Sequence, residues 1–144
     1  MATSSSEPTT QAGWIGRALV YALFYMLVGV LVAQFAGHFA FVAPRVWRLT
    51  AWLASAIAFG THIQYERLTA GRSILVTGLH AATAAALGAF GLALAAIVHR
   101  HGVGLPRSGL LGAALVIWPV ITFIPALMVG MGAAALMRPR VIAP

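Results

Sequence analysis

Long apolar runs alternate with short polar segments along this chain, and four of the runs are long enough to cross a bilayer. Their approximate ranges are 14–36, 46–65, 74–98 and 110–136. A membrane helix needs about 20 apolar residues, whereas a membrane β-strand has about ten that alternate polar and apolar. Because these runs are apolar on all sides, they predict an all-α integral membrane protein with four transmembrane helices in an antiparallel up-and-down bundle.

The chain ends indicate one membrane domain with a tail on each side. Residues 1–13 form a Ser/Thr-rich polar tail that we expect to be disordered. Residues 14–137 are predicted to be a single four-helix domain, and residues 138–144 a short basic tail. We interpret the first run as a retained span, since it is longer than a typical signal-peptide core. Small residues near its end leave cleavage as the alternative.

Several residues mark the predicted helix ends. Pro44 suits the first turn of the second helix, where its missing N–H costs nothing. Ser73 is a candidate N-cap for the third helix, after a tight polar turn over 68–72. In the fourth helix, Pro119 and Pro125 are candidate kinks that should bend or locally open it.

Composition excludes a water-soluble globule and identifies the expected surroundings. Hydrophobic residues make up 61% of the chain and charged residues 8%, against about a quarter charged in a soluble domain. All nine basic residues are Arg, and they lie near helix ends without forming a run. They predict contact with anionic lipid headgroups and not with nucleic acid. The absence of Cys excludes disulfides and thiolate metal sites.

Arginine placement decides orientation only narrowly. With four spans both termini share one side, and that side carries five Arg against four on the other. The positive-inside rule then favours cytoplasmic termini in the plasma membrane, as in a bacterial inner membrane. The near balance leaves open a dual orientation or insertion fixed by a partner. The terminal side holds Arg17, Arg67, Arg72, Arg138 and Arg140; the other holds Arg45, Arg48, Arg100 and Arg107.

Two polar or small-residue stripes run at helical spacing along the second and third helices. Because a short turn joins these helices, we expect the stripes to pack against each other. Small residues allow the close backbone approach typical of membrane helices, so Ala84, Gly88 and Gly91 are predicted packing positions. The second-helix stripe comprises Arg48, Trp52, Ser55, Phe59, His62 and Glu66; the third-helix stripe comprises Ser73, Thr77, His80, Ala84, Leu87 or Gly88, Gly91 and Ala95.

The stripes bring together a candidate polar intramembrane site of His62, Glu66 and His80, with Ser73 and Thr77 beside it. Glu66 is the only acidic residue outside the N-terminal tail, and a polar residue within a span is costly enough to indicate function. A His–Glu pair can relay protons or bind a small ligand near neutral pH. The two imidazoles are weaker candidates for holding a metal or a haem.

A solvated helix end is the competing interpretation of the same residues. In that case Glu66 pairs with Arg67 or Arg72 near the headgroups, and His80 bonds a backbone carbonyl or the hydroxyl of Ser73 or Thr77. The sequence does not choose between the two interpretations, because any His four residues before a Glu has this spacing.

A second group of histidines is predicted at the opposite face. His38 ends the first run, and His99 and His101 end the third. Together with the deeper pair they would suit a two-haem bundle, but His99 and His101 flank Arg100 and are expected in a wet loop.

No catalytic arrangement is evident, since the chain has no Asp, no nucleophile elbow and no phosphate-binding glycine loop. We therefore expect a non-enzymatic structural or accessory subunit of a membrane complex, without a cofactor, that contacts itself or other subunits. Two alternatives remain: a small oligomeric transporter or channel using the Glu66 site, and a His-ligated haem or metal protein.

Overall fold

Helices account for nearly all of the chain that the structure describes. The computed structural model describes residues 9–38, 44–102 and 109–137, and no strand occurs in these ranges. The all-helical prediction is therefore confirmed. The elements are α1 (Thr9–His38), α2 (Pro44–Gln64), a π-turn (Tyr65–Thr69), α3 (Ile74–Gly102) and α4 (Gly109–Leu136).

Three of the helices are long and apolar enough to cross a membrane, by length and composition. They are Gly13–Phe35 within α1, Ile74–Gly102, which is the whole of α3, and Gly112–Leu136 within α4. The α2 helix is not among them, because polar residues such as Arg48 and Thr61 dilute its apolar content. The chain is thus a membrane-embedded helical protein with three clear candidate spans.

The helix ends agree with several local predictions and extend one of them. The α1 helix begins at Thr9, inside the segment expected to be a disordered tail, while residues 1–8 and 138–144 lie outside the described residues. The α2 helix begins at Pro44 as predicted. The Ser73 hydroxyl accepts a hydrogen bond from the Val76 N–H at 3.3 Å, which is the geometry of an N-cap.

A π-turn replaces part of the predicted polar turn after α2. The Ala70 N–H donates to the Tyr65 carbonyl at 2.9 Å, five residues back, so the helix widens before it ends. Gly71 then adopts a φ of +63°, a left-handed conformation that glycine takes without a steric penalty. This wider turn carries Glu66.

The expected packing of α2 on α3 is wrong along most of its length. The α1 helix packs against both α2 and α3, and α3 packs most extensively on α4, whereas α2 and α3 touch sparsely. Trp52, in the middle of the predicted α2 stripe, is 77% exposed. The end of α2 reaches α3 where Ile63 packs in one cluster with Ala81, and the π-turn reaches it where Glu66 bonds His80.

The small residues of α3 explain this arrangement. A Cβ on Gly88 would lie 2.7 Å from the Tyr25 Cβ, and one on Gly91 would lie 2.8 Å from the Met26 sulfur. These two predicted packing positions therefore receive α1 and not α2. The third, Ala84, is fully buried.

The α3–α4 contact also depends on glycine. A Cβ built on Gly130 would lie 3.2 Å from the Cα of Gly78, so the two backbones approach closely. The α4 helix continues without a break through Pro119 and Pro125, so neither proline ends it.

Candidate polar site

A fully buried carboxylate is the centre of the candidate site. The Glu66 side chain has no exposed surface, yet both of its oxygens are hydrogen-bonded. Arg17 Nε donates to Oε1 at 3.1 Å, and His80 Nδ1 lies 2.8 Å from Oε2. The carboxylate therefore joins α1, the π-turn and α3 at one point.

The hydrogen bonds decide the protonation of Glu66. Burial alone raises the pKa of the carboxyl group, but the hydrogen bonds from His80 and Arg17, with their charges, outweigh it and hold the pKa below its ordinary value. An ionised carboxylate only accepts hydrogen bonds. His80 Nδ1 must then donate the proton of its hydrogen bond to Oε2.

One face of α1 completes the site, and reasoning from the sequence missed it. Trp14 stacks on His80 with ring centroids 4.4 Å apart, and Tyr21 stacks on His62 at 4.2 Å. Arg17 lies between them in sequence, with its guanidinium carbon 4.8 Å from the centre of the Tyr65 ring. The sequence signal was available, because Trp14, Arg17 and Tyr21 recur at spacings of three and four.

The π-turn separates Glu66 from its charged neighbour. Arg67 donates through Nε to the Ala134 carbonyl of α4 at 3.2 Å and through Nη1 to the Arg72 carbonyl at 2.9 Å. The alternative in which Glu66 pairs with Arg67 or Arg72 is therefore wrong. So is the pairing of His80 with a carbonyl or hydroxyl, because its Nδ1 bonds the carboxylate.

The remaining predicted site residues divide into buried and peripheral ones. His62 and Thr77 are fully buried, and within the described chain neither the His62 ring nitrogens nor the Thr77 hydroxyl has a hydrogen-bond partner. Ser73 is exposed and caps α3. Of the five predicted residues, the structure thus joins Glu66 and His80 directly and buries His62 and Thr77.

The predicted site offers few free ligands for a metal ion. In the part of the chain that the structure describes, no group of three or more His, Cys, Asp or Glu side chains is arranged to hold a metal ion. The Glu66 oxygens are already taken by Arg17 and His80. At the far end of α3, His99 and His101 are exposed, and the side chain of His38 lies outside the described residues.

The arrangement can bind and release a proton. The carboxylate fixes the orientation of the His80 ring through Nδ1, and His80 keeps 13% of its side chain exposed, so the site is not sealed. A carboxylate-oriented imidazole is the usual protein group for proton exchange between pH 5 and 8. No family model, curated protein or solved structure matches this chain, so the site itself carries the functional argument.

Proposed function

We propose that this chain is a small oligomeric transporter or channel in which His80, oriented by Glu66, binds and releases a proton. The observation that carries the proposal is the completely buried Glu66 carboxylate, bonded to both Arg17 and His80. Charged groups in apolar surroundings are expensive and usually mark ion or proton pathways. If the contact were purely structural, the glycine packing used elsewhere in the protein would join the helices without burying a charge.

Each residue of the cluster has a distinct role in this proposal. His80 takes up a proton at Nε2 and becomes an imidazolium. The Glu66 carboxylate accepts the Nδ1–H bond, positions the ring and compensates the new charge. Arg17 keeps Glu66 ionised, so the proton resides on the imidazole. The Trp14 ring, stacked at 4.4 Å, holds the imidazole plane.

Proton flux into vesicles tests this function. Purified protein is placed in liposomes that contain a pH-sensitive dye, and a potassium gradient with valinomycin drives proton entry. Wild-type vesicles should acidify faster than empty ones, and Glu66→Gln and His80→Gln should remove the difference. The matched controls are Glu7→Gln, which alters the other acidic residue, and His99→Gln, which alters an exposed histidine. Wild-type flux equal to that of empty vesicles, or full flux in both site variants, contradicts the proposal.

For topology we propose four spans in an antiparallel up-and-down bundle, with both termini on the cytoplasmic side of the plasma membrane. The α3 helix, at 29 residues, is about 43 Å long at 1.5 Å per residue, long enough to separate Ala70 and Gly102 on opposite sides. The arginines near helix ends would contact anionic headgroups on both sides.

The lack of native cysteine makes this topology simple to test. Single substitutions Thr10→Cys, Ala70→Cys and Met137→Cys should react alike with a membrane-impermeant maleimide in intact cells. Gly102→Cys should show the opposite reactivity. If Thr10→Cys and Ala70→Cys differ, α2 does not cross the membrane and the four-span proposal fails.

A subunit role in a membrane complex is the second candidate, and α2 favours it. This helix packs mainly on α1, is less apolar than the other three helices and leaves Trp52 77% exposed. A polar helix at the edge of a membrane protein gains from a protein neighbour. A photo-crosslinking amino acid at position 52 should then form protein adducts, whereas one at the buried Ile63 should not. Adducts to lipid alone at position 52 would contradict this candidate.

A further inference from the structure

His62 is a buried imidazole with unmet hydrogen-bonding capacity. Its side chain is fully buried, and among the described residues neither Nδ1 nor Nε2 has a hydrogen-bond partner. Tyr21 covers one face of the ring, with centroids 4.2 Å apart and planes within 3°. The stacking contact therefore packs one face of the ring and leaves the two nitrogens at its edge without hydrogen bonds.

A neutral imidazole carries one N–H donor and one bare nitrogen acceptor. Burying such a group without a partner is unfavourable, because its lost hydrogen bonds to water are not replaced. Buried polar groups of this kind are usually satisfied by internal water, which makes about three hydrogen bonds. The His62 ring edge is thus a site for a small molecule that both donates and accepts hydrogen bonds.

Charged and polar groups from α1, the π-turn and α3 lie near this ring. Glu66 follows His62 by one helical turn, and His80 and Arg17 are close enough for their charges to act on it. Tyr21 contributes its ring from α1. His62 therefore belongs to the electrostatic environment of the Glu66 cluster without being hydrogen-bonded to it.

An opening between α1 and α2 lies next to this position. It is a groove of about 430 Å³, open on one side, lined by apolar side chains together with Tyr21 and Thr61, whose hydroxyl oxygens are 3.5 Å apart. A water molecule occupies about 30 Å³ in the liquid, so the opening can admit water at its polar end. Tyr21 touches both the opening and the His62 ring.

We propose that His62 binds internal water on its ring nitrogens and is the second proton-transfer group of the site, between the α1–α2 opening and the Glu66–His80 pair. The bare ring nitrogen accepts a proton from a hydronium ion at the water position, which leaves water and forms an imidazolium. The other ring N–H then passes its proton to the water bound there, which hands a proton on to His80 Nε2, and neutral imidazole is restored as the other tautomer. The transfer step rests on the proposed proton transport, whereas the water site does not.

Solid-state nuclear magnetic resonance of the protein in liposomes tests the water site directly. The protein is labelled with ¹⁵N-histidine, and the His62 signals are those lost in His62→Gln. Magnetisation transferred from water protons should reach both His62 ring nitrogens. It should persist in Tyr21→Phe, which keeps the stacked ring and removes its hydroxyl. Absence of transfer from water in the wild-type protein, or correlation of both nitrogens with protein groups alone, overturns the water site.

Flux measurements test the transfer step separately. His62→Phe keeps a planar ring against Tyr21 but removes both nitrogens, so proton flux should be lost while the thermal midpoint of unfolding stays near that of the wild type. If this variant folds and carries wild-type flux, the water at His62 is structural and the transfer step is wrong. If the wild-type protein carries no proton flux at all, the proposed function fails, and the resonance experiment still decides the water site.

Discussion

Around Glu66 the helices are joined by charged and aromatic side chains, whereas α3 and α4 are joined by two glycines. The carboxylate meets Arg17 and His80 at 3.1 and 2.8 Å. At the other contact, Gly78 and Gly130 bring two backbones together, and the nearest side chains to a Cβ on Gly78 would be those of Met131 and Leu127. Lipid offers no hydrophobic drive for helices to associate, so both contacts depend on geometry, one on hydrogen bonds and one on van der Waals packing.

The difference indicates what each contact is suited to. Glycine packing holds helices together at any pH and in one state. A buried ion pair costs desolvation and can be replaced by apolar packing without loss of stability. The protein packs α3 on α4 through Gly78 and on α1 through Gly88 and Gly91, so the polar contact is the one from which we expect chemistry.

Removing the carboxylate should have the largest effect. Glu66→Ala leaves Arg17 and His80 without their acceptor, and breaking a buried pair costs about 3–5 kcal/mol. Because the Arg17 side chain is 30% exposed and can reach water, we expect about 3 kcal/mol, the lower end of this range. The measurement is the free energy of unfolding in mixed micelles with increasing denaturing detergent.

The matched control for this variant is Glu7→Ala, which removes the other acidic residue of the chain and should leave the free energy of unfolding unchanged. Equal unfolding free energies of Glu66→Ala and wild type would mean that the polar contact does not stabilise the fold.

Blocking the glycine contact should have the next largest effect. A Cβ on Gly78 would lie 2.6 Å from Met131 Cγ and 3.2 Å from the Met131 backbone nitrogen, so Gly78→Leu must separate α3 from α4. Overpacking of this kind costs about 2 kcal/mol. The control is Gly132→Leu, since a Cβ on Gly132 meets nothing within 4 Å. If the two variants unfold at the same detergent concentration, α3 and α4 do not depend on the glycine contact.

The sequence predicted the helices well because their signal is local. Apolar runs, Pro44 and the Ser73 cap each act within a few residues, and the helix boundaries follow them. The pairing of helices was predicted wrongly, because a stripe such as that through Trp52 shows that a helix has a face and not which helix meets it. Short connections suggested α2 on α3, yet Gly88 and Gly91 of α3 accept α1 instead.

The site was predicted only in part, because some of its contacts are close in sequence and others join distant parts of the chain. Glu66 and His80 stand out as rare polar residues near a short turn, so their proximity followed from the sequence. Arg17 was placed at a headgroup because it lies near the start of a run, and its contact with Glu66 spans 49 positions. The π-turn that directs Glu66 one way and Arg67 another has no local sequence signature of the kind that caps and prolines provide.

Acid should weaken the polar contact and leave the glycine contact unchanged. The pKa of Glu66 is lowered in the folded protein, so its stabilising contribution is complete above the unfolded value of about 4.3 and is lost as the pH falls through the folded value. The unfolding free energy of the wild type should decline below about pH 4.3. Glu66→Gln should lose less unfolding free energy than the wild type in that range. The loss in the wild type should be smaller than that in Glu66→Ala, since a protonated carboxyl still forms hydrogen bonds. Parallel pH profiles for wild type and Glu66→Gln would assign the acid sensitivity to other groups.

Exchanging one cation for another should have the smallest effect and separates charge from shape within the polar contact. Arg17→Lys keeps a positive charge near Glu66 but loses the planar guanidinium above Tyr65 and the directed Nε–H bond. The loss of the stacked cation should cost about 0.5–1 kcal/mol. Arg48→Lys is the control, since Arg48 is exposed on α2. A loss of unfolding free energy in Arg17→Lys as large as that in Glu66→Ala would mean that the planar guanidinium of Arg17, more than its charge, orders the site. An unchanged unfolding free energy would mean that the mobile ammonium of Lys stabilises Glu66 as well as the guanidinium does. The polar contact would then differ from the glycine packing in charge alone.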